Sequence, residues 1–199
     1  MTHSPMVPID VKHDVWERFF TVAPLVVIGT EEEDGTLDFA PKHMALPLGW
    51  DRFFGFVCST SHATERNAVR EGWFTVSFPR PDDVMLASLA AAPRWDDDTK
   101  PALAVLPTVP AARTGGALLR DAYVHLECEL DRVVEDLGTN DLVIGRIVTA
   151  RVAEDSLRLA DGDDQDVFRN APMLAYLHPG RYAVVDTTFS FPFHSGFSK

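Results

Sequence analysis

Residues 58–78, CSTSHATERNAVREGWFTVSF, constrain the chain more than any other stretch. An apolar run, FFGFVC, ends at Cys58, and four small polar residues follow: Ser59, Thr60, Ser61 and His62. A helical pattern then covers 64–71, Gly72 stops it, and WFTVSF reads as a second apolar strand. A strand that feeds a hydroxyl-rich turn into a helix start makes an anion site. The first-turn N–H groups have no intrahelical partner there, and the helix dipole adds partial positive charge. Arg66 adds a full charge, so the ligand expected at this place is a phosphate. The same residues also read as a plain helix start, with Ser61 or Thr64 as N-cap and Glu65 complementing the dipole.

Around this stretch the chain breaks into short strands. LVVIGT (25–30) is a buried strand, and Asp34-Gly35 is a strong hairpin signal leading into TLDFAPKHMAL. Residues 51–58 and 73–78 give the next two strands. In AYVHLECELDRVVED the alternation puts Val124, Leu126, Cys128 and Leu130 on one face. Tyr123, His125, Glu127 and Glu129 take the other. LVIGRIVTARV pairs with this strand across Gly138-Thr139, LRLAD reads as a short strand, and Asp161-Gly162 as its turn. Residues 163–174 are mostly polar, and HPGRYAVVDTTFSFPFHSGF gives a last strand and an aromatic terminus. Residues 1–13 read as an arm, and Asp14 as the cap of a short helix in DVWERFF. Residues 79–116 form an excursion: a helix at DDVMLASLAAA, a polar break at DDDTKP, then a Pro/Ala-rich loop ending at Gly115-Gly116. An excursion of this length covers a site or a partner. Repeated short strands with a few inserted helices predict an antiparallel barrel rather than a parallel sheet. The 199 residues suit one domain, 1–199.

Charge and composition exclude several classes. Eighteen Lys and Arg against thirty Asp and Glu give −12, which argues against nucleic acid or an anionic membrane as partner. A small anionic ligand remains compatible, because a local site can be positive on an acidic protein. Cys58 and Cys128 lie in apolar runs without metal-ligand spacing, so reduced, buried thiols are expected, with a disulfide between the two strands as the alternative. His125 with Glu127 is the one metal-like pair; lacking a third ligand in reach, it reads as a solvated or interface strand face, and no metal is expected. The first residues lack the basic and apolar regions of a signal peptide, and no run approaches the roughly 20 residues of a membrane span. A cytoplasmic protein is expected. No G-x-G-x-x-G, Walker loop or G-x-S-x-G is present.

Taken together, these pieces resemble the flavin reductase-like family. APLVVIGTEEEDGTLDFAPKHM is similar to its strand, acidic-Gly hairpin and Asn-x-Ala-Pro-x-Ser segment. STSHATERNAVREGWFTVSF resembles its Thr-x-x-Asn helix followed by Gly-x-Phe-x-Val-Asn. HLECEL, LVIGRIVTARV and HPGRYAVV resemble its later strands, so the likeness runs from about Val22 to Phe197. The resemblance implies a mainly β fold, an antiparallel split β-barrel of the FMN-binding type with a few short helices. It further implies FMN held non-covalently, usually at a homodimer interface, with NADH or NADPH passing a hydride to it. The resemblance also implies that a partner monooxygenase, or another acceptor directly, draws on the reduced flavin. Carried over by the resemblance are Asp38, Ala40, Pro41, Lys42, His43 and Met44 along the isoalloxazine. Ser59, Thr60, Ser61 and His62 fall near the phosphate and ribityl chain, Thr64 and Asn67 on the helix, and Gly180, Arg181 and Tyr182 on the last strand. Arg66 and Arg181 are equal candidates for the phosphate's charged partner. No side chain is singled out as catalytic, since hydride transfer depends on stacking geometry.

Two positions depart from the family pattern: Asp38 replaces a common Asn, and His43 a common Ser. An aspartate near the ring opposes negative charge on the reduced N1 unless Lys42 or Arg181 balances it. Two rival readings follow. One is a non-catalytic FMN-binding protein for storage or sensing, with 79–116 blocking the nicotinamide; the other is a barrel without cofactor that serves as an interaction module. Thr64→Ala with Asn67→Ala is expected to weaken FMN binding and leave the fold intact.

Overall fold

The computed structural model describes residues 4–160, 162–194 and 196. In chain order the strands are β1 (Thr21–Pro24), β2 (Val26–Glu31), β3 (Leu37–Lys42), β4 (Ala45–Pro47) and β5 (Phe53–Ser59). Helix α1 (Ala63–Glu71) leads to β6 (Trp73–Phe78), and α2 (Val84–Leu89) to β7 (Thr108–Pro110) and β8 (Ala117–Leu119). The long hairpin β9 (Val124–Leu137) and β10 (Asn140–Val152) follows, then α3 (Asp164–Asn170), β11 (Met173–His178) and β12 (Arg181–Val185). Seven strands form an antiparallel sheet in the order β3-β2-β6-β9-β10-β5-β4, and β1-β11-β12 form a smaller one. The large sheet curls into a half-barrel, so that Lys42 on one edge strand touches Cys58 on β5. No described helix is long and apolar enough to cross a membrane.

Local chemistry explains the turns. Gly35 (φ +82°) takes the left-handed region in the β2–β3 hairpin, while Asp34 Oδ1 accepts from the amide and hydroxyl of Thr36. Gly72 (φ +73°) ends α1 in the same region and donates its N–H to Ala68 O. The core inside the curl joins Val26, Ile28, Phe54, Phe56, Phe74, Val76, Cys128 and Val143. Each large apolar side chain buried there contributes about 1.5–3 kcal/mol. The other side of β2 and β3, with Val27 and Phe39, is covered by Ala87, Ala90, Leu106 and Leu119. That double burial explains the unbroken apolar run of β2.

Several expectations need correcting. The excursion 79–116 is part of the core cover, and its strand β7 pairs with β8 just beyond it. Leu157 to Leu159 form no strand, whereas α3 and β11 arise in a region read as polar or as the run-up to the last strand. Residues 15–18 form only a single 3-10 turn, and Asp14 makes no side-chain cap. The expected turn partner Asp161, residues 1–3 of the arm, and Ser195 and Phe197 of the aromatic terminus lie outside the described residues. Both cysteines are free and buried.

Candidate functional site

The start of α1, the end of β3 and the end of β5 meet at one place. His62, not Ser61 or Thr64, is the N-cap residue of α1, and no side chain caps the helix. Ser59 Oγ and Ser61 Oγ lie 3.0 Å apart, and the exposed Arg66 folds back so that Nη1 donates to Ser61 O (3.3 Å). Lys42 Nζ donates to Cys58 Sγ at 3.2 Å. Burial first pulls both His62 and His43 below the ordinary histidine range; the charge of Lys42 adds to this at His62, and His178 and then Lys42 add to it at His43. Glu65 is pushed the other way, by burial and then by Asp141, toward its neutral form. The helix start is therefore rich in donors and cations, and the carboxyl of Glu65 in its first turn is shifted toward its neutral form. Thr60 is exposed and Ser59 half-buried in the same turn.

Behind this surface sits a buried polar layer. Asp38 is only 2% exposed. It accepts from Thr64 Oγ1 (3.3 Å) and Arg94 Nη2 (2.9 Å), with Lys100 Nζ 3.8 Å away. Arg94 also donates to Glu32, and Lys100 to Phe39 O (2.8 Å) and Ala90 O (2.6 Å). Burial pulls Lys100 below the ordinary lysine range while Asp38 pulls it back up. The balance to Asp38 thus comes from Arg94 and Lys100 of the excursion, not from Lys42 or Arg181. Asn67, also buried, donates to Thr30 Oγ1 (3.4 Å) and accepts from Arg70 Nη1 (2.9 Å). Thr64 and Asn67 share a helix face as their spacing predicts, but that face looks onto β2 and β3. Removing both would therefore strip buried hydrogen bonds, and the expectation that the fold stays intact does not hold.

Beside this layer opens a cavity of about 870 Å³, lined by Asp38, Phe39, Arg66, Asn67, Arg70, Arg94 and Lys100 among others. Arg66 faces both this cavity and the helix start. Arg181 is exposed at the first position of β12 and is not among the cavity's lining residues. Ala40 and Pro41 lie half-buried on β3, opposite Ile28 and Val27. His43 reaches the smaller sheet: its ring stacks on His178 (centroids 5.1 Å, 12° between planes) and meets Tyr176 at 4.7 Å. Tyr182 pairs across the strands with Tyr176 and is exposed, as is Met44. Gly180 N donates to Tyr176 Oη (3.0 Å).

The His125–Glu127 face is not solvated. Glu127 is fully buried, and its carboxylate accepts from the amides of Ala112, Arg113 and Thr114 at 2.7–3.0 Å. His125 Nε2 lies 2.7 Å from Leu119 O. No group of three or more metal-ligating residues occurs among the described residues. Arg94, Lys100 and the Glu127 anchor are what sequence reasoning missed. The only signal was an Arg and a Lys flanking the acidic break of the excursion, in RWDDDTK.

Residues 19–182 match the flavin reductase like domain, and the chain belongs to that family. Three solved structures show the same fold. Nitrilotriacetate monooxygenase component B from Bacillus cereus superposes with a TM-score of 0.81 at 19% identity, covering 95% of this chain and 100% of its own. Flavoredoxin from Methanosarcina acetivorans gives 0.76 at 16% identity, over 97% and 98%. An NADH:FAD oxidoreductase of Streptomyces globisporus gives 0.72 at 15% identity, over 90% and 98%.

Proposed function

We propose that this protein is an NAD(P)H-dependent flavin oxidoreductase that binds FMN at the junction of β3, β5 and α1. The observation that carries the reading is the uncapped start of α1, ringed by Ser59, Thr60, Ser61, Lys42 and Arg66. Such a donor set suits a phosphate monoester. Backbone of Ala40 and Pro41, with His43 and Met44 beyond it, offers a flat flank for a planar ring. Bound there, the flavin would supply two-electron hydride chemistry. The chain's own residues bind, orient and screen: Arg66 and Lys42 hold negative charge, His43 and His62 stay largely neutral at neutral pH, and the excursion shields Asp38 from the ring.

Family membership supports a flavin-linked oxidoreductase over a barrel that has lost its cofactor. The compensation of Asp38 supports it too, because the departure most hostile to a reduced flavin is neutralised by Arg94 and Lys100. Two copies would complete the site. Met44, Leu46, Trp50, Val22, Tyr182 and Val184 expose apolar surface on β4, the turn before it, the loop after it, β1 and β12, a pattern typical of an assembly face. The reduced flavin would pass to a partner monooxygenase or directly to another acceptor.

Fluorescence titration with FMN and with FAD tests this. Arg66→Ala is expected to weaken FMN binding by about ten- to a hundredfold, the worth of one charge-assisted hydrogen bond. Unchanged affinity in that variant would remove the start of α1 from the site, and no binding of either flavin by the unaltered protein would sink the reading.

A further inference from the structure

In the curled sheet, β3 is one edge and β5 lies next to the other, and the two are not hydrogen-bonded strand neighbours. Lys42 Nζ and Cys58 Sγ, 3.2 Å apart, cross that seam. A primary amine held against a thiol at this distance is one oxygen atom short of a covalent link. We propose that Lys42 and Cys58 form an oxygen-bridged S–O–N crosslink under oxidising conditions, stapling β3 to β5 and closing the half-barrel. The oxidant is peroxide, which reduced flavin generates with dioxygen; this source and the consequence for flavin affinity rest on the flavin reading above, whereas the bridge itself does not.

The chemistry balances with two peroxides. Sulfur of Cys58 attacks the first, the O–O bond breaks and an S–O bond forms, with the thiol proton leaving in water. The sulfenic oxygen then bonds to Lys42 Nζ, deprotonated for this step, as one O–H and one N–H bond break. The two protons and two electrons from those bonds reduce the second peroxide to two waters. Three waters and one S–O–N bridge result from one thiol, one amine and two peroxides.

Geometry selects this pair. Cys58 is 2% exposed, but Lys42 is only half-buried and marks the open side of the seam. Burial pushes the Cys58 thiol up, while the charge and hydrogen bond of Lys42 oppose that push. Cys128 is the internal control: it is fully buried, its thiol is pushed up to about 12, and no amine hydrogen-bonds to it among the described residues. Bridging also turns the cationic Lys42 into a neutral oxyamine beside the start of α1. The same event would lower affinity for an anionic flavin, so leakage of reduced flavin to oxygen would shut its own site.

The test is intact-mass and peptide analysis of the flavin-free full chain after treatment with hydrogen peroxide, with no reductant added. The expected product has gained one oxygen and lost two hydrogens, within a crosslinked pair of peptides carrying Lys42 and Cys58. A thiol reductant restores the original mass, and Cys58→Ser and Lys42→Arg each abolish the crosslink while Cys128→Ser keeps it. Whole-oxygen gains on Cys58 with the Lys42 peptide free, a disulfide, or an unmodified Cys58 would each overturn the proposal. Because flavin is absent, failure here leaves the flavin reading standing, and failure of flavin binding leaves the bridge standing.

Discussion

Asp38→Ala should destabilise the fold by about 3–5 kcal/mol, the cost of removing one partner from a buried ion pair. Its carboxylate meets Arg94 at 2.9 Å and Thr64 at 3.3 Å, with Lys100 nearby, and all of this is nearly closed to water. Without it, Lys100 loses its carboxylate neighbour, and Arg94 keeps only Glu32 and the exposed Asp98. For a chain of this size the melting temperature should fall by on the order of 10 °C. The first turn of α1 loses its tie to β3 at the same time, so flavin affinity should fall as well. Asp38→Asn, which restores the residue common in the family, should be destabilising here too, since an amide cannot balance two cations. Pairing Asp38→Asn with Arg94→Gln should cost less than the two single changes summed. Thermal unfolding of the set decides it, and an unchanged melting temperature in Asp38→Ala would mean the ion pair contributes nothing.

The second large effect concerns Glu127. Its carboxylate gathers three amides of the loop 111–116, and Arg151 approaches it at 3.4 Å. Burial pushes this carboxyl up, but the amides and Arg151 outweigh burial and hold it below the usual glutamate range. A group whose folded pKa is depressed contributes stability above its unfolded pKa, and that stability is lost as pH falls through the folded value. The loop should therefore loosen in acid, below the ordinary carboxylate range, and be unaffected by pH near neutrality. Glu127→Ala should cost about 3 kcal/mol at neutral pH by removing the shared acceptor of three part-buried hydrogen bonds. Hydrogen exchange at Ala112, Arg113 and Thr114 reads this directly: faster exchange in the variant at neutral pH, and in the unaltered protein only in acid. Equal protection in both would show that the carboxylate does not hold the loop.

These two carboxylates mark where the sequence stops being legible. What it showed well is local. The Asp34-Gly35 and Gly138-Thr139 hairpins, the Gly72 stop and the alternation of β9 each depend on a few adjacent residues, and each is found as read. The core face of β9, with Leu126 and Cys128, follows from the same alternation. Its opposite face was misread because alternation reports polarity and not cover. Glu127 is polar in sequence and buried in space, since a loop more than a dozen residues away folds over it. The partners of Asp38 lie farther off still, Arg94 and Lys100 being 56 and 62 residues along the chain. No periodicity links them. Helix α3 did leave a signal: Asp163 accepts from the amide of Gln165, and Asp164 and Asp166 occupy its first turn. Its shortness and polarity hid it. In the candidate site, the hydroxyl turn and Arg66 could be read from sequence, whereas the inward aim of Thr64 and Asn67 needed the packing of α1 on β2 and β3.

The most direct test of the central claim is the flavin absorbance band, followed anaerobically while the protein is mixed with FMN and then with NADH or NADPH. Following the band in the mixture works whether the flavin is held tightly or passes through as a substrate. The account predicts that the band bleaches with at least one nucleotide, far faster than in a protein-free mixture. Bleaching no faster than that blank, with both nucleotides and with FAD in place of FMN, would contradict it.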